Sequence, residues 1–140
     1  MSIYSRARKL AKKYGNDPEK IAERLGIKVI RLPMESIKGA AISLKRFKLI
    51  FVNSNLTPIE QKIVIGHEIG HFLLHPSTNY VFIQQHTFFQ DKHEYQANMF
   101  ACELILGEVA EKNRQVLANL CAWGRIREIA EFIDSVINQV

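Results

Sequence analysis

The chain has 140 residues, 47% of them hydrophobic, and carries a formal net charge of +5. That length fits one domain with a real core, while the absence of any long apolar run or N-terminal h-region excludes a transmembrane or secretory reading, and two cysteines exclude a disulfide framework. A soluble, cytoplasmic protein with reduced, buried thiols at Cys102 and Cys121 is expected, its basic balance being that of a solvated surface that tolerates an acidic partner without requiring one.

Residues Ile3–Tyr14 place Ile3, Ala7, Leu10, Ala11 and Tyr14 at helical spacing with basic residues between them, and Gly15 closes that helix. Asp17 as N-cap and Pro18 at the first helical position open a second helix, Pro18–Leu25, which Gly26 stops. Strands follow. Ile27–Leu32 is one, and Ala40–Leu44 with Lys48–Val52 reads as a hairpin turned at Lys45–Arg46. Together they predict a small three-stranded antiparallel sheet, whose edge would offer backbone groups to an extended peptide.

After a turn at Asn53–Asn55, Thr57, Pro58 and Glu60 form a capping-box start for a long helix, Thr57–His75. It is apolar on nearly every side, through Ile63, Val64, Ile65, Ile69, Phe72, Leu73 and Leu74, so it is expected to be buried. Within it His67, Glu68 and His71 make an H-E-x-x-H pattern. Residues four apart share a helix face, so both imidazoles can reach one metal ion at about 2.0–2.1 Å. Glu68, rotated about 100° from His67, is suited to contacting a water at that ion as general base. Gly66 and Gly70 lie beside the histidines and predict close packing of another backbone.

Pro76–Lys92 breaks the helical pattern and is rich in aromatic and amide side chains, as a rim, a flap or a core-covering loop would be. The next helix, His93–Leu106, aligns Glu94, Ala97, Asn98, Ala101 and Ile105 on one face. Glu94 completes a His₂Glu zinc site that keeps a fourth position for water. Asn98, one turn on, is placed to accept a hydrogen bond from the distal N–H of a ligating histidine. Beyond it, Val109, Val116, Leu117, Leu120 and Cys121 are candidates for a buried face. A break at Trp123–Gly124 precedes a last amphipathic helix, Arg125–Val140. The domain therefore divides into N-terminal helices (1–26), sheet (27–53), metal-site helices (57–106) and C-terminal helices (108–140), and a monomer is expected.

With these residues assembled, the chain resembles the ImmA/IrrE family of metallopeptidases over roughly Pro18 to Leu106, through PEKIAERLGIKVI, the IFVN strand end, HEIGHFLLH and EYQANMFACELI. The resemblance implies a compact α+β, gluzincin-like fold and zinc-dependent endopeptidase activity on a helix-turn-helix repressor. It matches His67, His71 and Glu94 to the metal ligands, Glu68 to the general base and Asn98 to a position held by Asn or Asp. Gln96 departs from a frequent Glu, and Gly107 stands where Met-Pro often follows. Two competing classes are a binding protein that sequesters the repressor without cutting it and a DNA-binding protein. The second is the weaker reading. The helix-turn-helix-like PEKIAERLGI is followed by the β-branched KVIRL and Pro33 instead of a recognition helix, so direct nucleic-acid binding is not expected.

Overall fold

A computed structural model describes residues 2–44, 47–75, 80–83 and 92–138. Helix α1 (Ile3–Tyr14) starts on the Ser2 hydroxyl and ends at Gly15, whose φ of 92° suits a glycine. Helix α2 (Pro18–Arg24) starts on the Asp17 carboxylate and passes through Leu25 and Gly26 into β1 (Ile27–Leu32). Strands β2 (Ile37–Leu44) and β3 (Phe47–Asn53) follow. Helix α3 (Pro58–Leu74) begins in a complete capping box between Thr57 and Glu60. A short strand β4 (Tyr80–Ile83) precedes α4 (Lys92–Leu106). The chain then runs through α5 (Glu108–Lys112), α6 (Arg114–Trp123) and α7 (Ile126–Ile137).

The α+β class agrees with the sequence, but the sheet differs from the antiparallel three-stranded arrangement expected. It is mixed and four-stranded, in the order β1-β3-β2-β4. Strand β1 runs parallel to β3, while β2 is antiparallel to both β3 and β4. The connection after β1 sets β2 down two strand positions away, and the hairpin's return strand fills the gap and so runs parallel to β1. Asn53 fixes this crossing. Its amide donates to the carbonyls of Met34 and Ile37 at 2.9 and 3.1 Å and accepts from the Met34 N–H at 3.2 Å. The fourth strand falls inside the segment read as a loop; the Lys45–Arg46 turn and the rest of that loop (76–79 and 84–91) lie outside the described residues.

Helix α3 is the centre of the core. Every residue from Ile63 to Phe72 is buried. Its surroundings are β2 and β3, α2, α4 and α7. Two sets of glycines allow this. A Cβ on Gly39 of β2 would lie 2.5 Å from a Val64 methyl and 2.7 Å from the Phe51 carbonyl oxygen. On the α4 side, Cβ atoms on Gly66 and Gly70 would meet Ala101 Cβ at 3.1 Å and the Phe100 ring at 3.2 Å, so the expected close packing is present. The C-terminal helices cover α3 and α4 with Leu117, Cys121, Ile126, Ile129, Ala130 and Ile133. Val109 and Val116, read as buried candidates, are exposed because Ala110 and Leu117 occupy the inward positions. Among the described residues, no helix is long and apolar enough to cross a membrane.

Candidate metal centre

Near the middle of α3, the helix turns two imidazoles inward, four residues apart. His67 Nε2 and His71 Nε2 are 3.1 Å apart, their rings nearly perpendicular at 80°. The close packing permitted by Gly66 and Gly70 draws α4 in, and its first turn delivers Glu94 to the same point. Glu94 Oε2 lies 3.0 Å from His67 Nε2, and Oε1 lies 2.9 Å from His71 Nε2. Asn98, one turn along α4, sets its Oδ1 2.7 Å from His67 Nδ1. The structure thus brings together all five residues singled out in the sequence: His67, Glu68, His71, Glu94 and Asn98, each 6% exposed or less.

The chemistry of these groups fits a metal ion. Asn98 Oδ1 can only accept, so His67 carries its proton on Nδ1 and turns the Nε2 lone pair toward the Glu94 carboxylate, itself an acceptor. Acceptors facing each other at 3.0 Å need a cation or a proton between them. Ligand atoms bound tetrahedrally at about 2.0–2.1 Å stand about 3.3–3.4 Å from one another. The observed separations of 2.9 to 3.1 Å need only a few tenths of an ångström of expansion to reach that. Ligand atoms of His67, Glu68 and His71 also lie within 4.8 Å of one another.

Glu68 is placed differently from Glu94. Its Oε1 is 3.7 Å from His67 Nε2, it is fully buried, and among the described residues neither of its oxygens has a hydrogen-bond partner. Burial, reinforced by the charge of Glu94, raises its proton affinity well above that of an ordinary glutamate. For Glu94 burial acts in the same sense, but the neighbouring His67 and His71 imidazoles outweigh it and hold its carboxyl well below the usual range. Burial is also the main reason the His71 imidazole is pushed down to about 4, against the bond that its protonated form would donate to Glu94. The pocket accordingly offers a neutral His71 imidazole and an ionised Glu94 carboxylate at neutral pH, the protonation states metal ligation needs. It also offers a second carboxylate eager for a proton.

Tyr95 is half-buried, with burial and then Tyr4 and Cys121 raising its phenol. The side chains of Tyr80 and His86 lie outside the described residues. His75 and His93 stack on each other, with centroids 3.8 Å apart. His75 also approaches His71, a contact signalled in the sequence only by its i+4 spacing. Gln96, which meets His75, carried no signal beyond its departure from the family pattern.

The peptidase M78 model, described as the IrrE N-terminal-like domain, matches residues 22–116, a span that contains α3 and α4. The chain is 40% identical over 107 residues to the uncharacterized immunity region protein 2 of Bacillus phage phi105, covering 74% of this chain and 68% of that protein. It is 44% identical over 59 residues to the metallopeptidase ImmA of Bacillus subtilis (strain 168), covering 41% of this chain and 34% of that protein. With the matched span covering most of the chain and both α3 and α4, the protein belongs to the ImmA/IrrE family, peptidase M78.

Proposed function

We propose that this protein is a zinc-dependent endopeptidase in which His67, His71 and Glu94 hold the metal, Glu68 is the general base and Asn98 orients His67. The observation that carries the reading is the convergence of two Nε2 atoms and both Glu94 oxygens within 3.1 Å, beside a buried carboxylate with no hydrogen-bond partner among the described residues. When bound, zinc supplies Lewis acidity, polarising the scissile carbonyl and making water nucleophilic near neutral pH. The chain's own residues do the rest. Glu68 takes the water proton on a carboxylate oxygen and passes it to the leaving amine, a task suited to a carboxylate whose proton affinity is raised. Burial around the site keeps competing water out and strengthens each charge interaction.

The partner we propose is a helix-turn-helix transcriptional repressor, as the family implies; similarity to a protein of a phage immunity region supports this. Glu68→Gln should keep zinc and fold while losing cleavage of the repressor by a factor of about 10² or more, the scale of a lost general base. Co-expression with the repressor and detection of its fragments is the measurement. A Glu68→Gln protein that still relieved repression in full would instead favour sequestration without cutting.

A further inference from the structure

A histidine binds a metal through one nitrogen only if its single proton sits on the other. For His67 the Asn98 carbonyl settles the matter. His71 is held by a different device. Its Nδ1 lies 3.2 Å from Nδ1 of His75, one turn further along α3, so one of these nitrogens must donate and the other accept. On its far side, His75 Nε2 stands 3.0 Å from Gln96 Oε1. That oxygen only accepts, so His75 donates from Nε2 and is left with a lone pair on Nδ1. His71 must then donate from Nδ1, which leaves its Nε2 lone pair pointing at His67 Nε2 and Glu94 Oε1. The opposite orientation of the Gln96 amide would drive the His71 proton onto Nε2, into the ligand cluster.

We propose that Gln96 and His75 are positioning residues, a two-link hydrogen-bond relay that locks His71 in its metal-ready tautomer. The proposal rests on the metal-site reading above. His75 is not an alternative ligand, since it meets His71 at the nitrogen opposite the cluster. Its ring is steadied by His93, stacked at 3.8 Å and tilted by 20°. The first turns of α4 thus serve the site more than once, supplying Glu94 directly and supporting the relay with His93 and Gln96. Both links are polar, half-buried and within one helical turn of the cluster, which is where loss of an orienting partner weakens metal binding about 10- to 100-fold.

The test is zinc affinity of the full chain at mildly alkaline pH, read by competition with a chromophoric chelator. Cobalt absorption spectra would report ligand geometry, and circular dichroism the fold. His75→Ala and Gln96→Leu should each weaken binding about tenfold or more. Gln96→Glu, whose carboxylate can only accept, should bind as well as the wild type. The double variant should bind no more weakly than His75→Ala alone, because Gln96 acts through His75. Folded single variants with wild-type affinity, or losses that multiply in the double variant, would overturn the relay. A wild type that takes up no zinc would instead overturn the metal-site reading, and the relay with it.

Discussion

Glu68 sets the energetic character of the site at the level of single residues. A buried carboxylate without a hydrogen bond among the described residues is a cost to folding. Because its folded-state proton affinity is raised, it binds a proton in the folded chain at pH values where the unfolded chain, with a glutamate pKa of about 4.3, does not. Its contribution to stability is therefore present below that value and is lost as pH rises through the folded pKa. In chelator-treated protein, Glu68→Gln should be more stable than the wild type at neutral pH, with the difference shrinking on acidification toward pH ~4.3. His71 works in the other direction. Its imidazole, depressed to about 4, loses stabilisation as pH falls from about 6.5. Both proteins share that trend, so comparing their urea midpoints across pH isolates Glu68; a constant difference would contradict the assignment. His67 and His71, like Glu94 and Asn98, were legible in the sequence because each pair stands four apart on one helix face, and Glu68 was legible through the H-E-x-x-H pattern. His75 and Gln96 meet only after α3 and α4 pack, so no local pattern joins them.

Between secondary-structure elements, boundaries were legible wherever capping chemistry marked them, as at Asp17, Thr57 and Gly124. Strand order was not. A short connection after β1 suggests an antiparallel neighbour, and the crossing that defeats this expectation depends on Asn53, whose partners at Met34 and Ile37 are remote in sequence. Strand β4 has only four residues and sits in a segment without strand punctuation. Asn53 is 5% exposed and also accepts from the Asn55 N–H at 2.9 Å. Asn53→Ala should leave several backbone groups unsatisfied and cost about 2–3 kcal/mol, measurable by chemical denaturation. A neutral effect would show that the mixed sheet does not depend on this side chain.

Across the whole molecule, a buried charge joins helices far apart in sequence. Glu103 on α4 is fully buried and accepts from Arg114 on α6 at 2.7 Å, with Arg8 of α1 at 3.8 Å. The Arg114 guanidinium lies 4.1 Å from the centre of the Tyr4 ring, closing the contact between α1 and α6. Removing either partner is not equivalent. Arg114→Met leaves a buried carboxylate facing only the longer contact to Arg8 and should cost about 2 kcal/mol or more. Glu103→Leu frees two partly exposed arginines to reach water and should cost less. Thermal unfolding of the two variants distinguishes them, and the reverse order would contradict this reading. None of this was legible in the sequence, where Glu103 is one polar residue in an apolar stretch of α4. The final helix was legible, because Ile126, Ile129, Ala130 and Ile133 repeat at helical spacing and form its buried face.

The central proposal is a metal centre in which α3 supplies two imidazoles, and α4, drawn close by small residues, supplies the Glu94 carboxylate as the third ligand. Zinc content of the purified chain, wild type against Glu94→Ala, tests this most directly, because Glu94 is the one proposed ligand from outside the H-E-x-x-H helix. Stoichiometric zinc is expected in the wild type, and its loss from a folded Glu94→Ala protein. A wild type that remains zinc-free after loading, or a Glu94→Ala variant that retains full zinc at unchanged affinity, would contradict the proposal.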